Sequence, residues 1–140
     1  MFRILLAEDN PGDVLLFREA MKGRNLPCEI LVAEDGYKAI AILKAAHSAG
    51  TRLDLIVLDV NLPKHNGDDV LREVRSRDSL ADIPVIMLTS SASPGDKAAA
   101  TKLGANLYIQ KSSDLEELLE VGKVVEGILR RNQDARRQPD

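Results

Sequence analysis

One cysteine, Cys28, is all that the 140 residues contain, so the chain can form no internal disulfide and a reducing compartment is its natural home. Long apolar runs are missing too. No window approaches the roughly 20 apolar residues of a membrane-spanning helix, and the opening MFRILLAEDN has too short an apolar run and no cleavage site to be a signal peptide. A cytoplasmic location, away from membranes, is the expectation. Basic charge is not in excess: the net charge is -3, whereas sequence-independent binding to nucleic acid needs a dense basic surface to displace counterions. Nucleic acid is therefore not an expected partner. Repeats, low-complexity segments and interdomain linkers are also lacking, and the absence of a glycine-rich phosphate loop after the first apolar run counts against a nucleotide-binding module. What is left is ordinary in bulk, 44% hydrophobic and 29% charged, in a chain long enough to bury most of its apolar surface without staples.

Five apolar, β-branched runs recur at regular intervals: FRILLA (2–7), CEILVA (28–33), LDLIVL (53–58), IPVIML (83–88) and NLYIQ (106–110). The segments between them have helical periodicity. The first opens with Asn10 as cap, Pro11 at the first helical position and Asp13 in the first turn, where the helix dipole favours an anion; its apolar face carries Val14, Leu15, Phe17 and Met21. The second follows Gly36 and carries Ala39, Ile40, Leu43 and Ala46, and the third uses Val70, Leu71 and Val74. The fourth starts at Ser93 and Pro94 and ends at Gly104. The last opens on a capping box, with Ser113 as cap and Glu116 three residues on. Strand and helix alternate five times, which predicts an α/β fold with a five-stranded parallel sheet, helices on both faces and right-handed crossovers. Residues 1–131 form one domain in this reading, and 132–140 a polar, frayed tail.

Ligands of such sheets bind beyond the carboxyl ends of the strands. There the first run ends in Glu8 and Asp9, the third in Asp59, the fourth in Thr89 and Ser90, and the fifth in Lys111. Two carboxylates about 4 Å apart repel by roughly 4 kcal/mol at an effective dielectric of 20, so three clustered acids call for a cation. An oxygen-only ligand set selects a hard divalent ion, and Mg²⁺ suits a site that keeps several waters. With the metal on Glu8 and Asp9, Asp59 keeps an oxygen free to attack phosphorus, because carboxylates form acyl phosphates. Lys111 and the hydroxyl of Thr89 then supply charge and a hydrogen-bond donor to the transferred group.

In combination and order, the motifs LLAEDN, LDVNLPKHNG, LTSS and YIQK make the chain resemble a receiver domain of a two-component response regulator, over residues 2–131. VNLPKHNG, KSSDLEEL and the lack of an output segment further resemble the small stand-alone regulators that partner phytochrome-type histidine kinases. The resemblance implies a flavodoxin-like (βα)5 fold and a phosphoacceptor, rather than an enzyme, that takes part in its own phosphorylation and dephosphorylation. It implies that Asp59 accepts phosphate from a kinase phosphohistidine. Asp9 and Asp59 would bind Mg²⁺, or Mn²⁺ as the alternative, directly, with Glu8 acting through water and Asn61 through its backbone carbonyl. Thr89 would swing toward the phosphoryl oxygen, Tyr108 would follow from an outward to an inward rotamer, and Lys111 would pair with the phosphate. Asn61 and Ser91 would flank the attacking water and set the lifetime of the acyl phosphate. A sensor histidine kinase of phytochrome type is the implied partner, and output would come through protein binding. Most receivers follow the lysine with proline in a cis peptide, whereas this chain has Ser112. A cis bond there costs about 2.5–4 kcal/mol, so a trans peptide and a shifted last loop are expected.

Two other functions fit the same residues less well or no better. A phosphatase with an aspartyl-phosphate intermediate places its nucleophile after the first strand with a second aspartate two residues on, whereas here position 61 is Asn. A shuttle passing phosphate to another histidine-containing protein would have the same fold and site. On the last helix, Leu115, Leu118, Leu119, Val121, Val124, Val125, Ile128 and Leu129 spread over an arc of roughly 220°, wider than one sheet face requires. A homodimer or partner face through Val121, Val124, Val125 and Ile128 is the expectation. The fourth helix offers mostly alanine and Leu103 to the core, so phosphorylation should be felt there first. Cys28 reads as a core thiol, and His47 and His65 as surface residues.

Overall fold

Each apolar run becomes a strand, shortened or shifted where a polar residue or proline intervenes. The structure, a computed structural model, describes residues 1–112 and 114–137. Strands β1 (Phe2–Ala7) and β2 (Cys28–Ala33) coincide with the first two runs. Strand β3 (Leu55–Leu58) begins two residues late, because Asp54 turns its carboxylate to the N–H of Arg3 at 2.8 Å. Strand β4 (Val85–Thr89) starts after Pro84, which has no N–H to donate, and it takes in Thr89 as its last residue. Strand β5 (Leu107–Gln110) follows Asn106, whose side chain accepts from the Val85 N–H at 2.8 Å. All neighbours pair in parallel, in the order β2-β1-β3-β4-β5. The chain reverses direction across the sheet after β2, so the carboxyl ends of β1 and β3 lie side by side beneath one crevice.

Helices α1 (Pro11–Met21), α2 (Gly36–Ala49), α3 (Gly67–Ser76), α4 (Pro94–Lys102) and α5 (Leu115–Arg137) cover the two faces. One core joins α2, α3 and Ala100 of α4 to Leu5, Ile56, Leu58 and Met87 of the sheet; the other joins α1 and α5 to Phe2, Ile4, Leu6, Val57 and Ile86. Asn10, Asp35, Asn66 and Ser93 cap the first four helices through side-chain oxygens. The capping box of the last helix lies partly outside the described residues, since Ser113 is not among them. There Asp114 accepts from the N–H groups of Glu116 at 2.8 Å and Glu117 at 3.3 Å. No cis peptide occurs among the described residues, so Lys111–Ser112 is trans.

Three expectations change. Leu15 does not face the core: it is 59% exposed, and the buried stripe of α1 is Phe17, Ala20 and Met21. Residues 132–137, read as tail, are the end of α5. The dimer face is also overturned in part, for Val125 and Ile128 lie in the α1/α5 core and Val121 and Val124 are half-buried against it. The arc was wide because α1 covers α5 from the side while the sheet covers it from below. Leu115 and Leu119 are the large apolar residues exposed among those described in this helix. His47 and His65 are exposed, as read, and Cys28 is half-buried against the same core.

Candidate functional site

Strand ends aim the chemistry. Glu8 and Asp59 each hang from a residue still held by the sheet: the Glu8 N–H donates to Ala33 at 2.9 Å and the Asp59 N–H to Ala7 at 3.1 Å. Both side chains are buried, while Asp9 is exposed. The Asn61 N–H donates to Asp59 Oδ1 at 3.1 Å, closing a tight turn after the strand. Gly67 is what lets α3 begin against that turn, because a Cβ there would sit 2.3 Å from the Asp59 carbonyl oxygen.

Lys111 reaches in from the end of β5. Its Nζ donates to Asp59 Oδ2 at 2.9 Å and to Asp13 Oδ2 at 2.8 Å, and it pairs with Glu8 Oε1 as well. Its backbone is pinned by a 2.7 Å bond from its N–H to the Thr89 carbonyl. Thr89 is fully buried at the end of β4, and its Oγ1 accepts from the Ser91 N–H at 3.3 Å. The Ser91 hydroxyl donates to Asp96 Oδ2 on α4 at 2.5 Å, and the Tyr108 hydroxyl donates to the Ser91 carbonyl at 3.1 Å. A chain of contacts thus runs from the Asp59 pocket through Thr89 and Ser91 to α4 and β5.

Burial pushes the Asp59 carboxyl up, but hydrogen bonds from Lys111, Thr89 and the Asn61 backbone outweigh it and hold Asp59 below the ordinary carboxylate range. For Glu8 burial wins: despite Lys111 and the Asn10 N–H, the carboxyl is pushed up to about 7. Burial acts to lower the Lys111 ammonium, and its bonds to Asp13, Glu8 and Asp59 reverse this and raise it. The site therefore presents an ionised Asp59 beside a firmly charged lysine.

Oxygens of Glu8, Asp9 and Asp59 lie within 4.8 Å of one another. An oxygen-only set of three acids around one ammonium leaves negative charge unbalanced and fits a hard divalent cation. Every residue singled out from the sequence, Glu8, Asp9, Asp59, Asn61, Thr89, Ser91, Tyr108 and Lys111, lies in or next to this site. The sequence pattern marks Asp13 only as a helix-dipole residue. The signal for a larger role was its place four residues after Asp9, in the first turn of a helix whose side chains tilt back toward the N-terminus. Beside Lys111 a cavity of about 670 Å³ opens between α1, β5 and α5, with Phe17, Ile109 and Val121 among its lining.

Comparison with known proteins agrees with this geometry. The family model for the response regulator receiver domain matches residues 4–123. The response regulator Rcp1 of Synechocystis sp. is 38% identical over 127 residues, covering 89% of this chain and 84% of that protein. Among solved structures, the phosphorylated cyanobacterial phytochrome response regulator RcpA superposes with a TM-score of 0.81 at 38% identity, over 89% of this chain and 91% of that one. The Mn²⁺-bound form of response regulator Rcp1 gives 0.80 at 34% identity, over 90% and 92%.

Proposed function

The chain belongs to the response regulator receiver domain family, and from that premise we propose that Asp59 is the phosphoacceptor of a signalling switch served by a sensor histidine kinase. The observation that carries the reading is the state of Asp59: a buried carboxylate held ionised, with Lys111 and Asn61 bonded to its oxygens and Thr89 beside it. In the transfer a carboxylate oxygen of Asp59 attacks the phosphorus of a phosphohistidine. The new O–P bond forms as the N–P bond breaks, and the imidazole keeps the electron pair. Lys111 and the Thr89 hydroxyl are placed to bind the phosphoryl oxygens.

Glu8, Asp9, Asp59 and the Asn61 carbonyl would hold the divalent cation, Mg²⁺ in this proposal with Mn²⁺ as the alternative, and when bound it supplies charge neutralisation to the transferring group. Thr89 cannot turn to a phosphoryl group and still receive the Ser91 N–H in the same way. Its movement therefore loosens Ser91, and with it the Tyr108 and Asp96 contacts. That is the bistable element the switch requires. Asn61 and Ser91 flank the approach to Asp59 and set the lifetime of the acyl phosphate. The names of the relatives point to a phytochrome-type kinase as the partner, a cytoplasmic setting follows from that partnership, and no helix among the described residues is long and apolar enough to cross a membrane. Output is binding of a further protein.

The test is incubation with Mg²⁺ and a small acyl-phosphate donor, followed by intact mass of wild type and Asp59→Asn. One added phosphoryl group on wild type alone is expected. Labelling of both proteins, or of neither, would remove Asp59 from its assigned role.

A further inference from the structure

Lys111 carries three N–H donors on its ammonium, and three carboxylates receive them: Glu8, Asp13 and Asp59. Two of these acids, Glu8 and Asp59, also belong to the oxygen cluster that fits a divalent cation; Asp13 does not. A cation entering that cluster competes with the ammonium for the same oxygens and repels it. The ammonium cannot simply retreat into water, because the Lys111 side chain is only 16% exposed and its main chain is tied to Thr89.

We propose that Asp13 is the positioning residue of Lys111: it retains the ammonium at the edge of the site when Glu8 and Asp59 turn to the metal, so that Lys111 is at hand for the phosphoryl group. The inference rests on the metal reading given above and adds to it a residue from another element, 98 positions away in sequence.

The anchor is rigid for local reasons. Pro11 opens α1, and the Asn10 side chain accepts from the N–H groups of Gly12 at 2.8 Å and Asp13 at 3.3 Å. Phe17, Ala20 and Met21 then fix the helix to the core. Lys111, by contrast, hangs on a long side chain from a fixed main chain. It can pivot between Asp59 and Asp13 while neither backbone moves.

Removal of Asp13 takes away the place to which Lys111 yields. The ammonium then stays on Glu8 and Asp59, and metal binding weakens. A plain loss of one nearby negative charge also weakens metal binding, so the test must separate the two. Mn²⁺ affinity is measured by electron paramagnetic resonance for wild type, Asp13→Asn, Lys111→Met and the double variant, with thermal melts to establish that each is folded. Asp13→Asn is expected to weaken Mn²⁺ binding about tenfold where Lys111 is present and by less than about twofold in the Lys111→Met background. Equal weakening in both backgrounds would mean that Asp13 acts only through its charge and overturns the anchor. No Mn²⁺ binding by wild type would overturn the metal reading and the anchor together.

A second readout needs no affinity. In protein labelled with ¹⁵N-lysine, at Mg²⁺ concentrations that saturate each protein, the Lys111 ammonium signal should remain slow to exchange in wild type and should exchange fast in Asp13→Asn, where the metal takes Glu8 and Asp59 and no anchor is left. An unchanged signal in Asp13→Asn would also overturn the proposal.

Discussion

Three acids crowd one ammonium at the site, and Glu8 among them is ionised at a cost. Burial raises its carboxyl to about 7, against the pull of Lys111 and the Asn10 N–H. A carboxyl whose folded value is raised gives stability that is fully present below its ordinary value and lost as pH rises through the folded one. Metal-free wild type should therefore lose stability between about pH 5 and 7.5 relative to Glu8→Gln, by a few degrees in melting temperature, which scanning calorimetry across that window would check. A flat difference between the two proteins would mean that Glu8 ionises freely. Asp59 has the opposite sign: its depressed value contributes stability above the ordinary aspartate range and loses it as pH falls below about 4, outside the same window. At this scale the sequence was informative about identity and poor about partnership. Strand ends fixed where Glu8, Asp59, Thr89 and Lys111 would meet. That Asp13 joins them depends on how far α1 tilts over the crevice, which no local pattern contains.

Helix α5 lies on the sheet and against α1 at once, and the approach to α1 depends on a single residue. A Cβ on Gly122 would sit 2.2 Å from the Ala20 carbonyl oxygen, which belongs to backbone and cannot swing away. Glycine costs a helix interior about 1 kcal/mol relative to alanine, while forced overpacking of this kind costs about 1–3 kcal/mol. The clash wins, so Gly122→Ala should lower the melting temperature by several degrees. Gly127 in the same helix has nothing within 4 Å of such a Cβ, and Gly127→Ala should leave the protein unchanged or stabilise it by about 0.5–1 kcal/mol. Thermal melts of the pair check both, and equal effects would show that close packing of α1 on α5 is not what Gly122 supplies. The periodicity of α5 correctly marked Val125 and Ile128 as apolar but could not say that α1 covers them, because the reason sits at Gly122 and Ala20. Arg75 went unmarked for a similar cause. Its guanidinium bonds the carbonyls of Ala81, Ile83 and Gly104 and the side chain of Asn106, so that α3 holds the loops entering β4 and β5. A solvated arginine and a structural one look alike in sequence.

Across the whole molecule the helices are anchored unequally, and α4 is the weakest. On one face α1 and α5 bury Phe17, Met21, Val125, Ile128 and Leu129. On the other, α2 and α3 bury Leu43, Val70, Leu71 and Val74, while α4 buries only Ala100 and leans on the half-buried Leu103. Its first turn also carries unfavourable charge: burial raises the Asp68 carboxyl on α3, and Asp96 on α4 raises it further against the opposing charge of Arg72. Among the described residues, the strong tie of α4 to the site is the bond from the Ser91 hydroxyl to Asp96, and Ser91 is bonded in turn to Thr89 and Tyr108. A change at Asp59 therefore meets least resistance on the α4 side. Hydrogen exchange after treatment with Mg²⁺ and a small acyl-phosphate donor should change first and most in residues 90–104 and around Tyr108, with α1 and the buried half of α5 nearly unaffected. Asp59→Asn, given the same donor, should show no change in either layer. If α1 and α5 respond as strongly as α4, the stiffness difference read from burial does not direct the switch, and the signal leaves the site through Asp13 and Lys111 instead.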